Sequence, residues 1–136
     1  YRKFYNIMAH FAKIEDGIVT EVMVVDNSIV DPEDSGSDNE QLGKDFIASL
    51  NIEGTWVQTS YNGSIRKQYG QPGWSYDSTA DKFVSPAPYA SWTLDSDKDW
   101  QPPIAKPTDA PADTKTWEWD EELYQSDNTL GWIEYP

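Results

Sequence analysis

Trp74-Ser75-Tyr76-Asp77, Trp92-Thr93-Leu94-Asp95 and Trp117-Glu118-Trp119-Asp120 state one pattern three times: Trp, any residue, a large apolar residue, Asp. After each copy a short polar run leads to another aromatic, at Phe83, Trp100 and Trp132, and prolines follow at Pro86, Pro102, Pro103 and Pro136. Side chains alternate along a strand, so the first and third residues of each copy point to one face and form a ridge. The Asp starts a turn by accepting hydrogen bonds from its own downstream amides, and short acidic or hydroxyl-rich runs supply the polar tips. The spacing therefore predicts three tandem aromatic β-hairpins over residues 73–136. A single hairpin is only marginally stable in water, so the ridges must pack on one another, on the rest of the chain or on another chain. Proline fixes φ and cannot donate to a ladder, so 85–88 and 102–111 read as stiff connectors and the C-terminal part as elongated.

Upstream, Phe11 to Ile14 and the β-branched run Ile18 to Val25 flank Asp16-Gly17, the signature of a strand, tight turn and strand. The polar run Asp26 to Asn39 reads as a loop, with a solvated acidic face at Asp31, Glu33, Asp34, Asp38 and Glu40. Leu42, Phe46, Ile47 and Leu50 then form one helical stripe, with Asp38 or Asn39 as cap, predicting a short helix over about 39–50. Gly54 to Tyr61 alternates large and polar side chains and ends at Asn62-Gly63, a turn signal, with Ser64 to Tyr69 as the returning strand. The expected fold is mainly β with one short helix: an α+β part over 8–72 followed by the hairpin repeats over 73–136. Residues 1–7 read as an upstream extension or cloning remnant, with Met8 the more natural start.

Composition narrows the function classes. The 136 residues carry a net charge of −14, which disfavours a nucleic-acid backbone or an anionic membrane as partner. There is no cysteine, hence no disulfide, thiolate metal site or cysteine nucleophile. No apolar run approaches the ~20 residues needed to span a bilayer as a helix. Seven Trp and eight Tyr carry much of the apolar surface, so a few large rings must do the packing.

No catalytic signature stands out. Asp95, Asp97 and Asp99 match the first ligand positions of a calcium loop, but Trp100 stands where that loop needs Gly and Lys106 where it needs Glu. Asp120, Glu121 and Glu122 beside Trp117 and Trp119 suggest the carboxylates and sugar platforms of a glycosidase, although adjacency does not fix the separation of the two carboxyls. His10, the one histidine, has no nucleophile motif around it. Gly70 to Gly73 lacks the Lys-Ser/Thr of a phosphate loop. The chain is expected to be non-enzymatic, with no cofactor and no metal. What remains are the rings of Trp74, Tyr76, Trp92, Trp100, Trp117, Trp119 and Trp132, candidates for contact with a partner subunit or a glycan.

Several blocks together resemble small structural-type proteins of tailed phages of marine cyanobacteria and other ocean bacteria. They are Met8 to Ile14 with Gly17 to Val22, Gly54 to Asn62, Ile65 to Gly70, and Tyr76-Asp77 through Phe83, Ser91 to Asp95, Trp100 and Trp119 to Glu121. The resemblance implies a virion protein, made in the host cytoplasm, that docks onto other virion proteins of capsid or tail, or onto copies of itself. The alternative is a host-surface glycan-binding module using Trp92, Trp100, Trp117 and Trp119.

Overall fold

The computed structural model describes residues 8–111 and 114–136; residues 1–7, read above as an extension, lie outside them. The chain is mainly β and divides into two compact units, the first ending at Pro86 and the second spanning Ala87–Pro136.

In the first unit, β1 (Met8–Glu15) and β2 (Ile18–Asp26) form the predicted hairpin. Asp16 and Gly17 adopt φ of 52° and 77°, the left-handed pair that a two-residue turn between twisted strands requires. Register shifts between Lys13 and Ile14: Ala12 faces Val22 whereas Ile14 faces Val19. The shift leaves Thr20 as an extra residue and returns Val19 to the face of Val22, so the bulge keeps both valines in one cluster. The short helix α1 (Asn27–Val30) follows, in a stretch expected to be loop. It forms because Asp26 caps Ser28 N and because Val30, 1% exposed, gains a place in the core. Helix α2 (Glu40–Ser49) begins where Asn39 Oδ1 accepts from Gln41 N and Leu42 N, as its sequence predicts.

Strand β3 (Thr55–Thr59) pairs with the far side of β1. The expected return strand over Ser64 to Tyr69 does not form. Arg66 and Lys67 take φ of 51° and 76°, which no ladder accommodates, and the chain turns away. The first repeat hairpin, β4 (Ser75–Asp77) with β5 (Lys82–Val84), joins this sheet instead, giving the order β3-β1-β2-β4-β5. The boundary expected at residue 72 thus falls within the first unit.

Alternation on the curled sheet separates two cores. Ala9, Phe11 and Val25 meet Val30, Ile47 and Trp56 in one cluster; Ala12 and Val19 meet Phe83 in the other, flanked by Trp74 and Tyr76. Gly43 lets α2 approach closely, since a Cβ there would overlap the Phe11 ring.

In the second unit, β6 (Thr93–Leu94) pairs with β7 (Trp100–Gln101), and β8 (Thr116–Trp119) with β9 (Trp132–Tyr135). Between β8 and β9 runs α3 (Glu121–Ser126), where the repeat predicts only a polar tip. Asp120 Oδ1 accepts from Leu123 N, so the same Asp that opens a turn in the other copies caps a helix here. No described helix is long and apolar enough to cross a membrane.

Candidate functional site: aromatic cluster and tyrosine cleft

The repeat holds in register. Across the three hairpins, the apolar third residue faces the second aromatic: Tyr76 opposite Phe83, Leu94 opposite Trp100, Trp119 opposite Trp132. The Asp opens the expected turn in the first two copies. Asp77 Oδ1 accepts from Thr79 N and Ala80 N, and Asp95 Oδ1 from Asp97 N and Asp99 N.

The structure divides the seven predicted contact residues. Trp74 and Tyr76 are half-buried against Ala12, Val19 and Phe83, and the Tyr76 hydroxyl donates to Asp81 Oδ1 at 2.5 Å. Trp92, Trp119 and Trp132 come together in the second unit. Ring centroids lie 6.1 Å apart for Trp92–Trp119, 5.4 Å for Trp119–Trp132 and 6.3 Å for Trp92–Trp132. The first two pairs are close to perpendicular, at 80° and 75°, which sets a positive ring edge on a negative face. Trp100 is half-buried in its hairpin, and Trp117 is half-buried with its indole N–H donating to Asp109 O at 2.9 Å. The Trp132 indole likewise donates to Ile104 O, at 2.8 Å. These two bonds fasten the proline-rich connector to the third hairpin, so within this unit 102–111 is a packed strap and not a free spacer.

Two tyrosines that the repeat does not signal complete the cluster. Tyr89 stacks 5.5 Å from Trp92 and Tyr124 5.4 Å from Trp119. Tyr124 is invisible in the repeat because it sits on the unexpected α3. Trp119 is 6% exposed, and a Cβ at Gly131 would overlap its ring. Its indole N–H donates to Glu121 Oε1, which also accepts from Ser91 Oγ, while Gln125 Nε2 donates to Oε2. These donors, Ser91 foremost, hold the Glu121 carboxyl below its usual range, so it is not poised to deliver a proton near neutral pH. Asp120 serves as helix cap, and the two carboxylates beside Trp119 are thus both structural acceptors.

The carboxylates of Asp95, Asp97 and Asp99 come within 4.8 Å of one another, the one such grouping among the described residues. Asp95 uses both oxygens within the turn, Oδ1 on the two amides and Oδ2 on Gln101 Nε2. Turn chemistry thus engages the Asp95 carboxylate in full.

In the acidic run of the first unit Glu33 and Asp34 are exposed, as expected of a solvated loop, but Asp31 and Glu40 are drawn into structural contacts. Asp31, 4% exposed, accepts from Ser35 N, Ser35 Oγ and Gly36 N and organises the loop. Glu40 accepts from Gln58 N and from both terminal nitrogens of Arg66, whose Nε reaches Asp81 Oδ1 at 2.6 Å. Burial alone would lower the Arg66 pKa; the bonds to Glu40 and Asp81 outweigh it and hold the guanidinium above its ordinary value. The Arg66 backbone carbonyl accepts from Phe83 N, so one residue ties α2, β3 and the first repeat hairpin together.

A cleft of about 510 Å³ opens beside β1 and β3, bordered by His10, Asp38, Gln58, Ser60, Tyr61 and Asn62. Tyr61 is 76% exposed, and its ring is backed by Tyr69 at 5.5 Å and by His10 at 5.9 Å. Burial pushes the His10 imidazole below its usual range, which keeps it neutral at pH 7.

The chain matches no protein-family model, no curated protein and no solved structure.

Proposed function

We propose that this is a non-enzymatic structural protein of a tailed-phage virion that docks onto neighbouring subunits, or onto copies of itself, through the second unit. The observation that supports docking is how little that unit buries. Among its described side chains only Trp119 is buried, while Tyr89, Leu94, Leu130 and Tyr135 are exposed. A single core in a unit below ~70–80 residues rarely supplies more than about 3–5 kcal/mol, natural ones often add disulfides, metals or a partner, and this chain has no cysteine. A partner covering the exposed apolar rim would supply the missing burial, and large aromatic rings are the side chains that contribute most at such interfaces. The phage setting rests on the sequence blocks named above.

Sedimentation of the purified protein, with acrylamide quenching of its Trp emission free and in the particle, tests the reading. Self-association or uptake into the particle with loss of quenching is expected. A protein that stays monomeric, enters no particle, and whose Trp emission is already fully shielded removes it.

A further inference from the structure

Tyr61 is the most exposed large hydrophobic side chain among the described residues, yet it is not loose. The contacts to Tyr69 and His10 hold its ring from behind, and the Ser60 carbonyl accepts from Gly63 N at 2.8 Å, closing a turn that places Tyr61 and Asn62 at its tip. A ring fixed on one side and open on the other is a stacking face whose ordering cost is already met in folding.

The polar groups beside it are also set in advance. Asn62 Oδ1 accepts from Ser60 Oγ at 2.5 Å and from Ser64 N at 3.2 Å, which assigns the amide and turns its NH₂ outward as a double donor. Ser60 Oγ lies 2.8 Å from Ser64 Oγ. Across the cleft, Gln58 Nε2 donates to Asp38 Oδ2 at 2.9 Å and fixes that carboxylate as an acceptor. One open aromatic face, an amide donor, hydroxyls and a fixed carboxylate surround a space within the ordinary range of small-ligand sites.

Charge narrows the occupant. Among the described residues that line the cleft Asp38 carries a charge and no Lys or Arg appears, and the chain carries −14, which disfavours phosphates, sulfates and uronic acids. A neutral pyranose meets each remaining feature. Its C–H face is apolar and slightly positive and stacks on a negative ring face, and its hydroxyls both donate and accept, matching amide, serine and carboxylate. A quaternary ammonium would also be drawn to an aromatic face beside a carboxylate. Such cations are best held between several ring faces, whereas Tyr61 and Tyr69 touch each other at 56° and leave one face open.

We propose that the Tyr61 cleft is a binding site for a neutral saccharide, with Tyr61 as stacking platform and Asn62 and Asp38 as hydroxyl partners. The site stands in the first unit and is independent of the docking reading for the second; its loss leaves association untouched. It also differs from the Trp-based glycan surface that the sequence suggests.

The test is saturation-transfer NMR of the full chain with the methyl glycosides of glucose, galactose, mannose and N-acetylglucosamine, and with tetramethylammonium as the cationic probe. At least one pyranoside is expected to bind with a dissociation constant on the order of 1–10 mM, the range of a shallow site with one stacking face. Saturation should concentrate on the protons of one ring face. Tyr61→Ala should weaken binding at least ~10-fold and Asn62→Ala by about threefold to tenfold, with the circular dichroism spectrum unchanged, and Trp117→Ala should leave binding as it was. Failure of all four glycosides overturns the proposal, as does binding that survives Tyr61→Ala or falls equally with Trp117→Ala. Tighter retention of tetramethylammonium than of any glycoside at Tyr61 overturns it in favour of a cation site.

Discussion

Residues 8–86 close mixed aliphatic and aromatic side chains over both faces of a five-stranded sheet, whereas Ala87–Pro136 is held by tilted and edge-to-face indole and phenol rings on short two-stranded hairpins. Both contain copies of the same repeat, so the tetrad does not decide which kind of core it builds. Its neighbours do. The first copy finds the edge of β2, where Val19 N donates to Trp74 O and Tyr76 N to Gly17 O, and it becomes two more strands of an existing sheet. The second and third copies pack through Trp92, Trp119 and Trp132, whose rings need fewer long-range backbone partners but leave more apolar surface open. A repeat that can dock on a sheet edge or on its own kind is, physically, an adhesive element.

Matched core truncations give the largest expected effects and test the contrast directly. Phe11 is 0% exposed and enclosed from sheet and helix, so Phe11→Ala should cost about 3–5 kcal/mol in urea unfolding. Trp119→Ala should cost about 2–3 kcal/mol, less than its size suggests, because its half-buried neighbours can close over the gap. It should also abolish most of the near-ultraviolet dichroism, which coupled indoles dominate. Equal costs for the two would mean that the ring cluster is as closed a core as the sheet, and the comparison would fail.

Arg66→Ala comes next, at about 1–3 kcal/mol, since it strands the half-buried Glu40 carboxylate and the Gln58 carbonyl. Arg66→Lys should recover little of this, because an ammonium cannot bridge Glu40 and Asp81 with a planar fork. Hydrogen exchange reads it: amides of the first repeat hairpin, Phe83 above all, should exchange faster in Arg66→Ala while those of β8 and β9 stay as they were. Unchanged exchange at Phe83 would show that this hairpin is held to the first unit by its strand pairing alone.

The smallest effect is a pH dependence confined to the first unit. The folded His10 has a pKa below the ordinary 6.5, so the unfolded chain takes up its proton first and protonation favours unfolding. Stability should fall as pH drops through 6.5 toward the lowered folded value and level off below it. His10→Gln should flatten the profile. The second unit contains no histidine, and its near-ultraviolet signal should not change over that interval; a change there would break the separation of the two units.

Much of the first unit was legible because its signals are local. Asp16-Gly17, the Asn39 cap and the Leu42 to Leu50 stripe each act within a few residues, and each appears where its chemistry places it. The return strand after Gly63 failed for a nonlocal reason: the chain at Arg66 follows its side chain to Glu40 and Asp81, partners 26 and 15 residues away. Helix α3 was hidden because Asp followed by acidic residues suits a turn and a helix start equally. Of the aromatic site, the sequence shows the ridge residues and their cross-strand partners but neither Tyr89 nor Tyr124. The Tyr61 cleft has no sequence signature, since Tyr61 and Asn62 belong to a turn and His10 and Asp38 are remote from it.

By itself, then, the sequence determined what local chemistry determines: alternating ridges, Asp-initiated turns, a capped helix, and a charge that turns anions away. Only the tertiary structure decided which ridges would share a core. Placing the first hairpin on β2, gathering Trp92 and Trp132 around Trp119 and setting His10 behind Tyr61 all depend on residues far apart in the chain. Such contacts are selected by the burial and hydrogen bonding of the whole fold, and no short stretch encodes them.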